Sequence, residues 1–214
     1  MNCLSCARCP ALCASRTQVV LPTVPRLHPV PLLCIGEAPG AEEDRQGAGF
    51  VGAAGKTLRR ALVEAGLDIE WQVGFANIVR CRPEANRRPT TQEMRSCLPW
   101  LAQTLLQMRP RAVLLVGATA AEAFFGKRPL GRLVEEVADA ARARELALAA
   151  CAPDLKEAIA ELGATIFAPM PHTSGLAWNR PSYKPGLRWS DVGRQQIARC
   201  IKHLEGEPTA KENH

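Results

Sequence analysis

Residues 31–44 read PLLCIGEAPGAEED. Leu32 to Ile35 form an unbroken apolar run, too short for a helix and without polar alternation, so the stretch predicts a strand covered on both faces. The run ends at Gly36 and gives way to a loop with Pro39, Gly40 and four acids, Glu37, Glu42, Glu43 and Asp44. Three later stretches share this character: VGFANI (73–78), AVLLVG (112–117) and TIFAPM (165–170). Helical spacing separates them. KTLRRALVEAG, from Lys56, puts Leu58, Ala61, Leu62 and Ala65 on one face and stops at Gly66. Thr90 and Glu93 form a capping box ahead of Met94, Cys97, Leu98, Leu101, Leu105 and Met108. ATAAEAFFG follows the third strand, and Ser190 is placed to cap a last helix carrying Ile197, Ile201 and Leu204. Buried strands alternating with helices predict an α/β fold, a three-layer αβα sandwich around a mostly parallel four-stranded sheet.

In such a sheet, ligands collect beyond the carboxyl ends of the strands. Three loops leave those ends: GEAPGAEED (36–44), NIVRCRP (77–83) and PMPHTSG (169–175). The fold therefore predicts that three motifs distant in sequence meet at one edge. The whole of 1–204 reads as one domain. Within it, 1–30 is an irregular arm rich in cysteine and proline. Residues 127–163 are an insertion of two alanine-rich helices, one over 133–150 and one opened by Pro153 and closed by Gly163. Residues 205–214 read as a disordered polar tail.

Composition narrows the function classes. The chain has 214 residues, 47% of them hydrophobic, enough for one good core. No apolar run approaches the length of a membrane span, and the N-terminus has no charged-then-apolar leader. Both features predict a cytoplasmic protein without a membrane partner. A net charge of +6 and a pI near 9.0 favour a polyanionic partner. Aromatic residues are only 5%, too few for a broad platform on which single strands stack.

Nine cysteines remain to be explained, and four of them fall in MNCLSCARCPALC (1–13). In the cytoplasm a thiol cluster means metal or redox chemistry more often than disulfides. A C-x2-C pair in the arm, with Cys81 after the second strand and Cys97 on the inward face of the next helix, makes a four-sulfur site. Such a site suits tetrahedral zinc or a [4Fe–4S] cluster, and the spacing alone leaves the metal open. Cys97 also reads as a plain core cysteine, as Cys34, Cys151 and Cys200 do.

Three segments, GEAPGAEEDRQGAGFVGAAG (36–55), NIVRCRPEANRRPTTQEMRSC (77–97) and a histidine loop after the last strand, resemble the family 4, iron–sulfur, uracil-DNA glycosylases. The resemblance covers roughly 3–126 and 165–204. It implies a DNA-repair hydrolase that breaks the N-glycosidic bond of uracil in DNA, acting as a monomer without a nucleotide cofactor. It also implies a [4Fe–4S] cluster on Cys6, Cys9, Cys81 and Cys97, with Cys3–Cys6 and Cys9–Cys13 as alternative pairs in the arm. A DNA-binding iron–sulfur protein of the same fold without turnover is the second expectation.

Excision leaves negative charge on uracil O2 and oxocarbenium character on the sugar. His172 corresponds to the family's donor to that oxygen, and Asn77 to the amide that reads the base edge with one donor and one acceptor. Phe50 corresponds to the aromatic that stacks on the base; outside the family it would read as core. Gly36 and Gly40 permit a tight turn and close backbone approach, and the resemblance places Gly36 and Ala38 against the uracil. Glu37 and Glu43 are the candidate catalytic acids, because Ala38 stands where the wider superfamily has a water-activating aspartate. Asp44 also reads as a solvated loop charge. Arg80, Arg82 and Arg87 are expected on phosphates, with Arg88 as a further surface candidate. Ser174, Leu176, Trp178 and Arg180 are expected against DNA, Leu176 and Trp178 as wedges. Here the chain departs from the resemblance, because the family usually has proline where Thr173 stands and an arginine earlier than Arg180.

Overall fold

The computed structural model describes residues 3–206. The arm opens with a short helix α1 (Pro10–Ser15); the sequence reading had no helix there, although Pro10 stands at a first helical position, where proline is favoured. It then runs to β1 (Leu32–Gly36). Next come α2 (Ala41–Gln46), α3 (Ala53–Glu64) and α4 (Ile69–Gln72), leading into β2 (Val73–Asn77). A 3-10 turn (Glu84–Asn86) precedes α5 (Thr91–Met108), β3 (Ala112–Val116) and α6 (Ala118–Phe125). The insertion contributes α7 (Leu130–Glu136), α8 (Ala140–Ala150) and α9 (Pro153–Glu161). The chain ends in β4 (Ile166–Met170), the short α10 (Gly175–Trp178) and α11 (Trp189–Gly206).

The four strands form one sheet in the order β2-β1-β3-β4, and every pairing is parallel. All of their residues are buried, as continuous apolar runs require when helices cover both faces. Alternation along β1 divides the core. Leu33 and Ile35 join α5, α6, α8 and α9 on one side, while Leu32 and Cys34 join α3 and α11 on the other. The expected αβα layering is thus present. Among the described residues, no helix is long and apolar enough to cross a membrane.

The Thr90–Glu93 capping box forms as expected, with Thr90 Oγ1 accepting from Glu93 N and Glu93 Oε2 from Thr90 N. Three expectations need correction. Residues 133–150 are not one helix: α7 ends at Glu136, and Asp139 caps α8 by accepting from Arg142 N. Ser190 lies inside α11 rather than ahead of it. Residues 205 and 206 are the end of that helix; the rest of the expected tail, 207–214, lies outside the described residues. The insertion packs on the body, with Leu155, Ala158 and Ile159 buried in the core beside α5.

Candidate active site at the carboxyl edge of the sheet

The parallel register sets the site. Gly36, the last residue of β1, pairs with Asn77, the last residue of β2, so the two loops leave the sheet at the same height. Gly117, just past β3, donates its N–H to Met170 O at the end of β4. A β-carbon at Gly117 would stand 3.4 Å from the His172 side chain. Between these loops lies a cleft of about 460 Å³, lined among others by Gly36, Glu37, Ala38, Glu43, Phe50, Asn77, Arg87 and His172. The expected meeting of three distant motifs is realised.

His172 is held by its own loop. Ser174 N donates to His172 Nδ1 at 3.1 Å. A ring nitrogen that accepts a hydrogen bond carries no proton, so in the neutral imidazole the proton sits on Nε2. Desolvation lowers the pKa of His172 from its ordinary value, with the charge of Glu37 opposing the effect. Area and environment differ here: the ring is exposed toward the cleft, yet protein crowds it enough to disfavour the imidazolium. His172 is therefore a neutral N–H donor at neutral pH.

Phe50 borders the cleft with its backbone in the left-handed region, at φ 59°, which costs a bulky residue and marks a constrained site. Three groups hold it there. Arg59 Nε donates to Phe50 O at 2.9 Å. Gly55 leaves room that a β-carbon would close, at 2.2 Å from the Phe50 carbonyl carbon. Phe75 packs on the ring at a centroid distance of 5.2 Å. Asn77 is buried beside it.

The two candidate acids differ. Glu43 is a staple: Oε2 accepts from Gly40 N, and Oε1 from Val51 N and Gly52 N at 3.0 and 2.7 Å. Both of its oxygens are thus engaged by backbone amides, which leaves Glu37 the freer of the two candidate acids. Glu43 shapes the Phe50 lip. Glu37 receives one hydrogen bond, from the hydroxyl of Thr119 at the start of α6, and its charge reaches His172. For Asp44 a solvated loop charge was one of two readings. The residue is instead 2% exposed and accepts from Thr17 N and Gln18 N, which ties the arm to α2.

Two of the expected DNA contacts are also corrected. Arg80 turns inward, donating to Cys3 Sγ, Trp100 O and Thr104 Oγ1, so its guanidinium is not free for phosphate. Trp178 is buried against Gly193, where a β-carbon would lie 2.4 Å from the indole. Leu176 remains 81% exposed. Arg180 is exposed, and Ser174 half-buried. Arg82 lies beside the cleft mouth, donating to Asn86 Oδ1. Arg87 pairs with Glu93 at 2.7 Å, and that bond holds the Glu93 carboxyl down at about 2. Arg88 pairs with Glu122 at 2.6 Å.

The thiols form a second centre beneath this edge. Cys6, Cys9, Cys81 and Cys97 all pack on one apolar cluster. Burial raises the thiols of Cys9 and Cys81 and pushes Cys97 up to about 12. The neighbourhood of Cys6 adds to the shift in all three. Arg16 donates to Cys81 Sγ at 2.9 Å and to Cys6 O at 2.7 Å, joining arm and body. Cys3 faces Arg80 instead. Among the described residues, no three His, Cys, Asp or Glu side chains close around a point that one metal ion could fill. Four cysteine sulfurs drawn from arm and body are a donor set that suits tetrahedral zinc or a [4Fe–4S] cluster alike, the metal replacing thiol protons.

Sequence reasoning missed Thr119, Arg59 and Arg16, and it marked Thr173 only as a departure from the family's proline, with no partner for its hydroxyl.

The model of the uracil DNA glycosylase superfamily matches residues 26–191. A type-4 uracil-DNA glycosylase of Pyrobaculum aerophilum is 40% identical over 108 residues, 50% of this chain and 54% of that protein. One from Archaeoglobus fulgidus is 42% identical over 94 residues, 44% and 47% of the two chains. One from Thermotoga maritima is 40% identical over 93 residues, 44% and 48%. The chain spans about half the length of the curated relatives it matches. With the family model covering most of the chain and the same loops meeting at the sheet edge, the chain belongs to the uracil-DNA glycosylase superfamily.

Proposed function

We propose that the chain is a uracil-DNA glycosylase of the type-4, iron–sulfur kind, which hydrolyses the N-glycosidic bond of uracil in DNA and leaves an abasic site. One observation carries this reading: the Phe50 ring, the Asn77 amide and an Nε2-protonated His172 border a single cleft. The type-4 names of the relatives support it.

A flipped uracil stacks on Phe50, and Asn77 reads its N3–H and O4. As the bond to the sugar lengthens, charge grows on O2, and the neutral His172 N–H donates to it without first losing a proton. Glu37 is the acid nearest His172 with a carboxylate oxygen to spare. It favours the developing sugar cation and orients the attacking water, whose proton it accepts as the C–O bond forms and the C–N bond breaks, uracil leaving as the anion. Leu176 enters the space the base leaves, and Arg82, Arg87, Ser174 and Arg180 meet the backbone. Cys6, Cys9, Cys81 and Cys97 would hold the cluster. When bound, it supplies a covalent cross-link between arm and body, away from the base.

A second reading, binding without turnover, is favoured by Ala38 and by the engagement of Glu43, which leave Glu37 as the freer candidate base. Incubation with a uracil-containing oligonucleotide followed by alkali separates the two. Strand scission at uracil, and none at thymine or cytosine, is expected. Salt-sensitive binding without scission would establish the second reading.

A further inference from the structure

Thr173 stands where the family resemblance leads one to expect proline, and its hydroxyl has a partner. The side chain is 1% exposed, and Oγ1 donates to Ala54 O at 2.7 Å, across 119 residues of sequence. Ala54 lies in the first turn of α3, next to Gly55, which makes room for Phe50. Both Thr173 and Ala54 line the cleft. The two neighbours of Thr173 are His172 and Ser174, the residue whose N–H engages His172 Nδ1. One hydroxyl therefore ties the loop that carries the histidine to the wall that carries the aromatic ring.

We infer that Thr173 is a positioning residue: its bond to Ala54 fixes the His172 loop against the base-stacking wall and keeps the imidazole at its depth in the cleft. A proline there would stiffen the loop by restricting its backbone. Threonine achieves the placement with a cross-link to a second element, so losing the hydroxyl frees the loop. Buried hydroxyls without a partner are unfavourable, which keeps the bond closed. The catalytic part of the inference rests on the proposed glycosylase activity; the positional part does not.

The test compares Thr173→Val, which keeps shape and loses the donor, with Thr173→Ser, which keeps the donor. The first readout is the titration of the His172 ring by NMR, with His172→Ala identifying its signal among the 4 histidines. Desolvation lowers this ring's pKa, so a freed loop that admits water raises the midpoint in the valine variant, while serine keeps it near the wild-type value. Glu37 faces the ring, and Glu42, Glu43 and Arg87 also line the cleft. None of them changes in either variant. The second readout is single-turnover uracil release. Valine is expected to slow it roughly ten- to a hundredfold, with affinity for uracil DNA within about twofold of wild type, and its acid limb moves up with the ring's midpoint.

An unmoved His172 midpoint in the valine variant overturns the inference. A moved midpoint in a protein that releases no uracil overturns the activity and upholds the positioning. Should the valine variant fail to fold, Thr173→Ala carries the same comparison, with the same two outcomes.

Discussion

Replacing Gly36 with alanine is expected to abolish uracil excision while leaving a folded protein. The added β-carbon would lie 2.6 Å from Asn77 Oδ1 and 2.8 Å from Phe50 Cζ, both well inside contact distance. Neither neighbour can yield cheaply. Asn77 is the buried register partner of Gly36, and the Phe50 backbone is held by Arg59 and by the fit at Gly55. The methyl group therefore displaces the two groups that would recognise the base. A misplacement near 1 Å costs roughly a hundredfold in rate, and displacement of both groups should cost more. Overpacking at one site costs about 1–3 kcal/mol in stability, so a melting transition should persist. Single-turnover excision and thermal melting on the same sample check both halves. Wild-type turnover in Gly36→Ala would mean that this cleft does not hold the base.

Asp44→Ala is expected to have the largest effect on stability. The Asp44 carboxylate accepts from Thr17 N and Gln18 N, and Gln18 Nε2 returns a bond to Asp44 O. The arm and α2 are therefore joined mainly through this residue, with Gln18 Nε2 also reaching Arg45 O at 3.3 Å. Its neighbour Glu43 grips the Phe50 lip, so the same short helix carries the arm on one acid and the pocket wall on the next. Leaving two amides without an acceptor costs about 1–3 kcal/mol each. At about 2–4 °C per kcal/mol for a chain of this size, the melting temperature should fall by roughly 4–24 °C. Faster hydrogen exchange at Thr17, Gln18 and the 49–52 loop should accompany the loss. A variant that melts within about 1 °C of wild type would show that the bonds of Arg16 and Arg80 to the arm suffice to hold it.

Asp44 also marks where sequence reading stops. Its partners are backbone amides 26 and 27 residues away, and every residue but proline has one. An acid in a row of acids therefore reads as solvated until the fold is known. The bonds of Glu43 are hidden for the same reason, since its three donors are backbone amides at 40, 51 and 52. Arg80 looked like its neighbours in RCRPEANRRP; only the packing of the arm against α5 turns it toward Cys3 and Trp100. Trp178 fell to a glycine on another helix, Gly193, which sequence distance conceals.

The strands were legible because a parallel sheet buried on both faces leaves a continuous apolar run, and four such runs are hard to mistake. The loops at their ends followed from topology. That is why Gly36, Asn77 and His172 could be grouped before any coordinate was known. The break between α7 and α8 was legible in principle, since Asp139 is a good N-cap, but the alanine-rich spacing on either side masked it. The tautomer of His172 was beyond reach, because it depends on one amide of the loop that the ring itself occupies.

The central claim is that one neutral imidazole and one amide act on the same departing base. The most direct test follows free uracil by mass from one uracil-containing oligonucleotide, with wild type, His172→Ala and Asn77→Ala at matched occupancy. Wild type should release uracil, and loss of the oxyanion donor should slow release about 10²–10³-fold. Asn77→Ala should also slow it, and the double variant should lose less than the product of the two single losses, as groups acting on one base do. Release by His172→Ala at the wild-type rate, or none from wild type, would contradict the account.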